Sequence, residues 1–314
     1  MAKTKQEKLD AKAEKQYAKT HKRKYRLTPG DVVFNILDYG IFGLFTITCI
    51  FPFYYIFINT ISSQRVTLYP IGFTLENYAT MLRNSDIFTS FGISLARTLI
   101  GTALMVLATG FIGYLVTKKE MWHRKIWYRF LVITMYFNAG IIPWFMNMSM
   151  LGLTGNFWAY IIPGIVAPYN IILVKTYIES IPAELEESAF MDGAGYFTVF
   201  RKIIWPLSKP ILATITIFGA VGHWNSFTDS LILMQSHPEL RTLQHLMYNY
   251  LQRIADAGGN ITNSADAGAF LANQEQGRVL KYTVAMISVI PILVVYPFMN
   301  RSFEKGIMLG AVKG

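Results

Sequence analysis

The sequence has few charged residues and almost no cysteine. Of its 314 residues, 15% are charged and 53% are hydrophobic, and Cys49 is the single cysteine. Soluble domains carry about 25% charged residues, so this composition excludes an ordinary water-soluble globule and intrinsic disorder. One cysteine excludes a disulfide framework, a cysteine-based zinc site and an iron–sulfur cluster. Together with a mean hydropathy of +0.33, these features indicate an integral membrane protein.

Motifs of catalytic and nucleotide-binding sites are also missing. The sequence contains no G-x-x-x-x-G-K-[ST], no H-E-x-x-H and no G-x-S-x-G, and its five histidines have no metal-ligand spacing within an uncharged stretch. The run Gly193-Ala194-Gly195 lacks the third glycine and the preceding strand of a dinucleotide site. We therefore expect no catalytic residue, no metal and no cofactor in this chain, which would make it a non-enzyme.

Long uncharged stretches mark the expected membrane spans. They cover 39–64, 98–117, 130–174, 210–228 and 282–300. A span needs about 20 apolar residues, so the stretch 130–174 is too long for one span and must turn, most simply at the polar, Gly-rich segment Asn147–Asn156. The sequence thus predicts an all-α membrane fold with six helices, at about 35–60, 89–117, 128–147, 157–176, 211–233 and 281–300.

Lys and Arg residues are distributed unevenly among the loops. They concentrate in residues 1–26, after the second helix, in 175–210 and after residue 300. Because cytoplasmic loops hold the excess of Lys and Arg, we predict that both termini are cytoplasmic, and the net charge of +10 needs no nucleic-acid partner. The basic tail 1–26 is interpreted as a solvated orientation signal or as a headgroup-binding segment using Lys22, Arg23, Lys24 and Arg26.

The cytoplasmic loop 178–209 is too long for a simple connection. Pro182 and three following glutamates favour a helix that runs to Met191, where Gly193 allows a sharp turn. A second, amphipathic segment follows, with Phe197, Phe200, Ile203 and Ile204 on one side. The loop either packs on its own bundle or receives another protein. Its small residues favour close approach by a partner: Ser188, Ala189, Gly193, Ala194 and Gly195.

This loop resembles the "EAA" loop of ABC importer permeases. Glu187-Ser188-Ala189 is followed at the family's spacing by Gly193, Ile203 and Trp205-Pro206, with departures at Ser188 and Trp205. Over about 25–314 the chain is similar to the permease subunits of carbohydrate importers of the maltose type (MalG-like), in the branch with the YtcP-like and lipoprotein-transport-like permeases. The segments that carry the similarity are 134–164, 181–195, 206–227 and 310–314.

The resemblance implies a six-helix permease domain over 27–314, with the type I ABC importer fold, in a bacterial cell membrane. It implies a second, related permease, two ATPase subunits that bind ATP and Mg²⁺, an extracellular solute-binding protein and a carbohydrate substrate. The residues expected to dock on the ATPase are Glu187, Ser188, Ala189, Asp192, Gly193, Ala194, Ile203 and Pro206. The C-terminal tail either reaches between the ATPase subunits or frays, and the residues concerned are Gly310, Val312, Lys313 and Gly314.

The extracellular loop 234–280 begins with a strong amphipathic pattern. From Leu243, apolar residues recur at helical spacing through Leu246, Met247, Tyr250 and beyond. This predicts a helix whose apolar side packs on the rim of the bundle. The resemblance implies, as an alternative, that these four residues contact the solute-binding protein, and the two roles can belong to different faces.

Ionisable and polar residues within the spans are candidates for the substrate path. Arg97 could face a translocation cavity, snorkel outward, bond carbonyls between helices, or pair with Asp229. In the fifth helix, His223, Trp224, Asn225 and Asp229 form a polar and aromatic cluster that suits sugar binding, although hydrogen bonding between helices is the alternative. Weaker candidates of the same kind lie in the third helix: Tyr136 and Asn138, with Trp144 and Asn147.

Three other functions compete with a permease. A secondary transporter would embed acids within the cores of its spans and show an inverted repeat, and neither is visible in the sequence. A membrane enzyme would need a constellation of catalytic groups. A receptor or scaffold is compatible with the composition but leaves the helix-turn-helix loop 178–209 without a role.

Overall fold

The computed structural model describes residues 28–63, 68–259, 277 and 281–297. Across these residues the secondary structure is helical, apart from one isolated bridge between Ser62 and Phe73. The chain forms two compact units, Met1–Tyr54 and Tyr55–Gly314. The helices are α1 (Pro29–Thr60), α2 (Glu76–Leu82), α3 (Ser85–Leu115), α4 (Arg124–Tyr136), α5 (Ile141–Met150), α6 (Pro168–Ile178), α7 (Glu184–Met191), α8 (Tyr196–Val199), α9 (Trp205–Leu207), α10 (Lys209–Asn225), α11 (Thr228–Leu233), α12 (Leu243–Gly259) and α13 (Lys281–Pro297).

In the first unit, nearly all the residues that the structure describes belong to the N-terminal part of α1. Thr28 and Asp31 cap this helix reciprocally: the Asp31 amide donates to Thr28 Oγ1 at 3.2 Å, and the Thr28 amide donates to Asp31 Oδ2 at 2.8 Å. Only 6% of the most apolar window of α1 is buried within the chain. A helix that is apolar all round and remains exposed is suited to a membrane.

The second unit is built around α3, a helix of 31 residues whose side chains are extensively buried. Glycines let neighbouring helices approach its axis closely. A Cβ atom added at Gly110 would lie 2.7 Å from the Trp205 ring, and one added at Gly113 would lie 2.8 Å from Val174 Cγ1. Because glycine has no side chain, these two positions allow α3 to pack directly against α6 and α10.

Two helices, α1 and α3, are individually long and apolar enough to cross a membrane, and the number rises to four if two bent pairs are counted as spans. One bent pair joins the 3₁₀ turns of Phe157–Gly164 to α6 at 43°, and the other joins Tyr196–Leu207 to α10 at 80°. The helix α13 is apolar but shorter. The described residues therefore give an all-helical protein with several candidate spans.

Three helices expected to be continuous are broken, which corrects their predicted bounds. The stretch 128–147 divides into α4 and α5 because Gly140 adopts a φ of +87° and its amide bonds to Asn138 Oδ1. The stretch 157–176 starts as 3₁₀ turns ahead of α6. The stretch 211–233 ends at Asn225 and restarts at Thr228, since Ser226 is extended and Asp229 Oδ1 accepts a bond from its hydroxyl.

Three clusters of buried side chains form the core of the second unit. The first surrounds Tyr114 and Phe200, the second Tyr160 and Leu233, and the third Trp224 and Leu243. Because α3 contributes residues near all three clusters, it fixes the positions of the two candidate sites described next.

A buried ion pair, a cavity and an exposed turn as candidate functional sites

Arg97 and Asp229 form an ion pair inside the second unit. The Arg97 side chain is 3% exposed, and its Nη1 donates to Ser226 O at 3.0 Å and to Asp229 Oδ1 at 3.2 Å. Its Nη2 donates to Asp229 Oδ2. Of the alternatives open for Arg97, the structure contains the pair with Asp229 and a bond to a carbonyl. Its Nε is buried and has no hydrogen-bond partner in the described part of the chain.

A network of polar groups extends from this pair to α12. The Tyr160 ring lies 4.7 Å from Arg97 Cζ, and its hydroxyl donates to Leu240 O at 2.7 Å. Ser230 Oγ lies 2.9 Å from the Tyr160 hydroxyl and 2.9 Å from His245 Nδ1. Burial, with a smaller contribution from a neighbouring arginine, lowers the pKa of His245 to about 4. The network therefore holds α3, α11 and α12 together around a charged centre.

A cavity of about 360 Å³ opens beside the ion pair. Its walls combine aromatic faces with polar groups, which is the composition of many small-molecule sites. The aromatic side chains are Trp144, Tyr160 and Phe218, and the polar ones include Arg97, Asn170, His223 and Asp229. Sugar rings offer both apolar faces and hydroxyl groups, so a cavity of this kind suits a sugar.

Two glycines leave space for the His223 ring in the cavity wall. A Cβ atom added at Gly101 would lie 2.6 Å from the His223 ring, and one added at Gly164 would lie 3.4 Å from it. The imidazole therefore occupies space that a larger residue at position 101 would take. Close contact with α3 and with the 3₁₀ segment fixes the ring at the cavity.

The other members of the predicted cluster lie elsewhere. Trp224 is 6% exposed, packs edge-on against Phe91 and donates from its indole nitrogen to Ser288 O at 3.0 Å. Asn225 is exposed, as are Tyr136 and Asn138. None of these four residues lines the described cavity. Three further cavity residues, Tyr160, Asn170 and Phe218, were not predicted, because the sequence does not show which way an aromatic or amide side chain in an uncharged stretch points.

The turn after α7 has the sharp geometry expected from the sequence. Gly193 has a φ of +81°, and the amides of Gly193 and Ala194 donate to the carbonyls of Phe190 and Ala189, each at 3.0 Å. No atom of the described residues, apart from the adjoining chain, lies within 4 Å of a Cβ added at Gly193. Because Glu187, Ser188 and Asp192 are also exposed, the turn presents an acidic, uncovered surface.

The segment after this turn differs from the expected amphipathic helix. One α-helical turn, α8, passes into a π-helical turn over Phe200–Ile204, which shifts the register. Phe200 and Ile204 are buried and Ile203 is half-buried, but Phe197 is 65% exposed. Phe197 therefore does not share the apolar side predicted for it.

The helix α12 forms where the amphipathic pattern predicts it. Leu243 and Leu246 are buried, and Met247 and Tyr250 pack on the same cluster as Trp224. The Asn84 amide nitrogen donates to the Tyr250 hydroxyl at 3.0 Å. The four residues expected as binding-protein contacts thus face the interior of this chain, so only the opposite face of α12 is open to a partner. The tail 1–26 and the C-terminal residues Gly310, Val312, Lys313 and Gly314 lie outside the described residues.

A mostly apolar helical chain with bent candidate spans, a cavity lined by aromatic and polar side chains and an exposed turn has the features of a membrane transport subunit. The described residues contain no group of His, Cys, Asp and Glu side chains able to hold a metal ion. The family model for the binding-protein-dependent transport system inner membrane component matches residues 110–309. The chain belongs to this family.

Similar proteins span nearly the whole chain. The polygalacturonan/rhamnogalacturonan transport system permease protein YtcP of Bacillus subtilis (strain 168) is 31% identical over 90% of this chain and 99% of its own length. Protein LplC of the same organism is 32% identical over 90% of this chain and 94% of its own. A crystallised bacterial ABC transporter involved in the import of the acidic polysaccharide alginate has a chain that is 32% identical, with a TM-score of 0.77, and the match covers 88% of this chain and 98% of that one.

These findings confirm the resemblance inferred from the EAA-like loop. The protein is a permease subunit of an ABC importer and lies in a bacterial cell membrane. It acts in a complex with a binding protein and an ATPase, and it carries no cofactor of its own. Its role is non-catalytic, since separate subunits hydrolyse ATP in this family.

Proposed function

We propose that this permease imports an oligosaccharide or another carbohydrate and that the cavity beside Arg97 and Asp229 forms this subunit's part of the path. The cavity carries the proposal, because Trp144, Tyr160 and Phe218 offer ring faces while Asn170 and His223 offer hydrogen-bonding groups. Asn225, Tyr136 and Asn138 are exposed and are proposed to line the part of the path that a neighbouring subunit completes. Trp224 supports this path indirectly, through helix packing.

The relatives make uronic-acid oligomers the first substrates to test. Two of the similar proteins are named for polygalacturonan/rhamnogalacturonan and for alginate, which the latter's title calls an acidic polysaccharide. Arg97 is the group in this cavity that suits a carboxylate, although Asp229 already accepts from two of its nitrogens. Neutral oligosaccharides of equal length are the matched comparison.

The path is tested by cysteine accessibility in a Cys49→Ser background. His223→Cys and Trp224→Cys place the thiol at adjacent positions of α10, one at the cavity and one in helix packing. With the assembled transporter, labelling is expected at position 223 and not at 224. Labelling at 223 should fall when substrate-loaded binding protein and ATP are added. Equal inaccessibility of both positions in every nucleotide state would contradict the proposed path.

The topology of the proposal has six spans and both termini in the cytoplasm. Pairing α4 with α5, and the 3₁₀ turns of Phe157–Gly164 with α6, would give two of these spans, each interrupted. The excess of Lys and Arg in 1–26, 175–210 and the C-terminal segment supports this orientation. The apolar surface of α1 and α4 is suited to lipid and to a second, related permease, which the family resemblance implies.

Coupling to the ATPase is proposed to occur at the turn of Gly193. The exposed Glu187, Ser188 and Asp192 would dock on an ATPase subunit that binds ATP and Mg²⁺, together with Ala189, Ala194, Ile203 and Pro206. The C-terminal residues Gly310, Val312, Lys313 and Gly314 are proposed to reach the same subunits. The outer face of α12 and the rest of 234–280 are proposed to contact the binding protein.

A pair of glycine variants tests this coupling. Gly193→Val forces a β-branched residue to a φ of +81°, whereas Gly195→Ala occupies a φ of −79° with no atom within 4 Å of its Cβ. We expect Gly193→Val to lose the stimulation of ATP hydrolysis by loaded binding protein while the complex still inserts. Gly195→Ala should retain it. Normal stimulation in Gly193→Val would refute docking at this turn.

A further inference from the structure

The helix α7, which precedes the docking turn, has no buried residue. A helix of eight residues without a buried face gains little orientation from packing, since helical stability in proteins comes mostly from a packed apolar face. Its half-buried apolar members, Ala189 and Phe190, lie near its C-terminal end and touch the Tyr114 cluster. Another contact must therefore orient its first turns.

Glu186 supplies that contact. Its carboxylate forms an ion pair with Lys118 Nζ, and the two side chains are only 14% and 15% exposed. Exposed ion pairs contribute little because water screens them and long side chains lose rotamer freedom. This pair is largely shielded from water and joins residues that are 68 positions apart in sequence, so it links two separate elements.

The ammonium group of Lys118 also contacts the face of an aromatic ring. Its Nζ lies 4.4 Å from the centroid of the Tyr114 ring, and Tyr114 is 1% exposed. The Tyr114 ring packs at 5.4 Å on Phe200, in the π-helical turn that follows the docking turn. Lys118 thus lies just beyond the end of α3 and pairs with α7, the helix before the docking turn. It also contacts the Tyr114 ring, which packs on the segment after that turn.

Two adjacent carboxylates of α7 consequently point in different directions. Glu187 belongs to the EAA-like motif and is exposed, whereas Glu186 is turned toward Lys118. Consecutive helical residues are separated by about 100°, so one side chain can face a partner while its neighbour faces the bundle. Nothing in the motif assigns a role to Glu186.

We propose that Lys118 and Glu186 are positioning residues that make α7 move together with α3 when the ATPase moves the docking turn. This inference rests on the proposed coupling at Gly193. Arg97, which lines the cavity, belongs to the same helix α3 and lies 21 positions before Lys118. A displacement of Lys118 would therefore move the helix that lines the cavity. Loss of the pair leaves α7 docked but loosely connected to the span.

The test uses charge reversal in the complete transporter. Lys118→Glu, Glu186→Lys and the double variant are compared for assembly, thermal stability, basal ATP hydrolysis and its stimulation by loaded binding protein. Lys119→Glu, an exposed neighbour with the same change in charge, is the control. Glu186→Gln removes the charge at nearly constant volume and covers the case in which a reversal prevents insertion.

Each single charge reversal should lower the stimulation of ATP hydrolysis by about tenfold, while basal hydrolysis and assembly persist. This factor lies within the range of coupling energies between contacting residues. Glu186→Gln should cause a smaller loss of stimulation. The double variant should recover to within about fivefold of wild type, since the contact between cation and Tyr114 ring is lost. Lys119→Glu should behave as wild type. A double variant no better than either single one, or a Lys119→Glu loss of equal size, would overturn the inference.

The result separates this inference from the proposal on which it rests. If Gly193→Val abolishes stimulation but neither Lys118→Glu nor Glu186→Gln affects it, docking at the turn stands and the role of the ion pair is wrong. If loaded binding protein stimulates ATP hydrolysis normally in Gly193→Val, the docking proposal is wrong, and the inference that rests on it is wrong too. A parallel loss of thermal stability and stimulation in Glu186→Gln would show a merely structural contact and would also overturn the inference.

Discussion

The two ends of α3 hold their neighbours by different interactions. Near its start, the buried residues of α3 are largely polar and include Ser90, Ser94 and Arg97, which bond to other segments or lie among them. Near its end, Tyr114 lies in an apolar cluster, and one ion pair at the rim connects Lys118 to α7. Hydrogen bonds fix distance and direction, whereas apolar contacts tolerate sliding. The Arg97 end is therefore suited to holding a fixed geometry and the Tyr114 end to transmitting movement.

Removing the charge at the Arg97 end should have the largest effect on stability. Arg97→Met leaves the Asp229 carboxylate without its partner, and breaking a buried pair in this way costs about 3–5 kcal/mol. Thermal unfolding of the purified complex measures the loss. The double change Arg97→Met with Asp229→Leu should recover much of it, because no unpaired charge remains. Equal stability of the single and double variants would mean that water already reaches Asp229 freely.

Close packing near the middle of α3 gives the next largest effect. Gly101→Ala places a methyl group 2.6 Å from the His223 ring, and overpacking of this kind costs about 1–3 kcal/mol. Gly222→Ala, one residue before His223, meets no atom within 4 Å and should be neutral or slightly stabilising. Thermal unfolding in the same detergent compares the two. Similar values for both would show that His223 moves away without cost.

A matched pair of tyrosines distinguishes the two ends directly. The Tyr160 hydroxyl donates to Leu240 O, so Tyr160→Phe should cost about 1 kcal/mol. Among the residues that the structure describes, the buried Tyr114 hydroxyl has no hydrogen-bond partner, so Tyr114→Phe should change stability by less than about 0.5 kcal/mol or increase it. The contrast between the ends of α3 would fail if Tyr114→Phe were the more damaging change.

The smallest expected effect is a pH dependence at α12. Burial lowers the pKa of His245 from its ordinary 6.5 to about 4. The unfolded chain binds a proton at this site below about pH 6.5, while the folded chain does so only near pH 4, so the stability contributed is complete above pH 6.5 and is lost as the pH falls toward 4. His245→Gln should flatten this part of the profile of stability against pH.

His237→Gln, in the exposed segment before α12, is the control for that profile. It preserves the network of Ser230, Tyr160 and Leu240 and should leave the slope between pH 6.5 and 4 as in wild type. A slope unchanged in His245→Gln would place the responsible group elsewhere.

The sequence predicts local features well and long-range direction poorly. Helical spacing places α12, and positive φ at Gly193 follows from glycines between two helical patterns, because both depend on neighbours in sequence. Composition indicates that Arg97 needs a partner, yet it does not choose Asp229 over the alternatives. The bond from Trp224 to Ser288 O joins residues 64 positions apart, and only the packed fold decides it.

Breaks within apolar segments are the other feature that periodicity misses. No charged residue interrupts 137–140 or 226–227, so the uncharged stretches predict continuous helices there. Local hydrogen bonds to side chains interrupt both helices instead: the Gly140 amide donates to Asn138, and the Ser226 hydroxyl donates to Asp229. The cavity lies beside the second of these breaks.

The acceptor that Arg97 finds at Ser226 is a main-chain carbonyl, exposed where α10 ends. Every amino acid carries this group, so a substitution at position 226 leaves the carbonyl in place and removes only the hydroxyl bond to Asp229. A change in chain length is a different matter. Deleting one residue between Asn225 and Thr228 would shorten this non-helical connection by up to about 3.8 Å and carry Asp229 away from Arg97. Selection at this break should therefore act against insertions and deletions far more strongly than against substitutions.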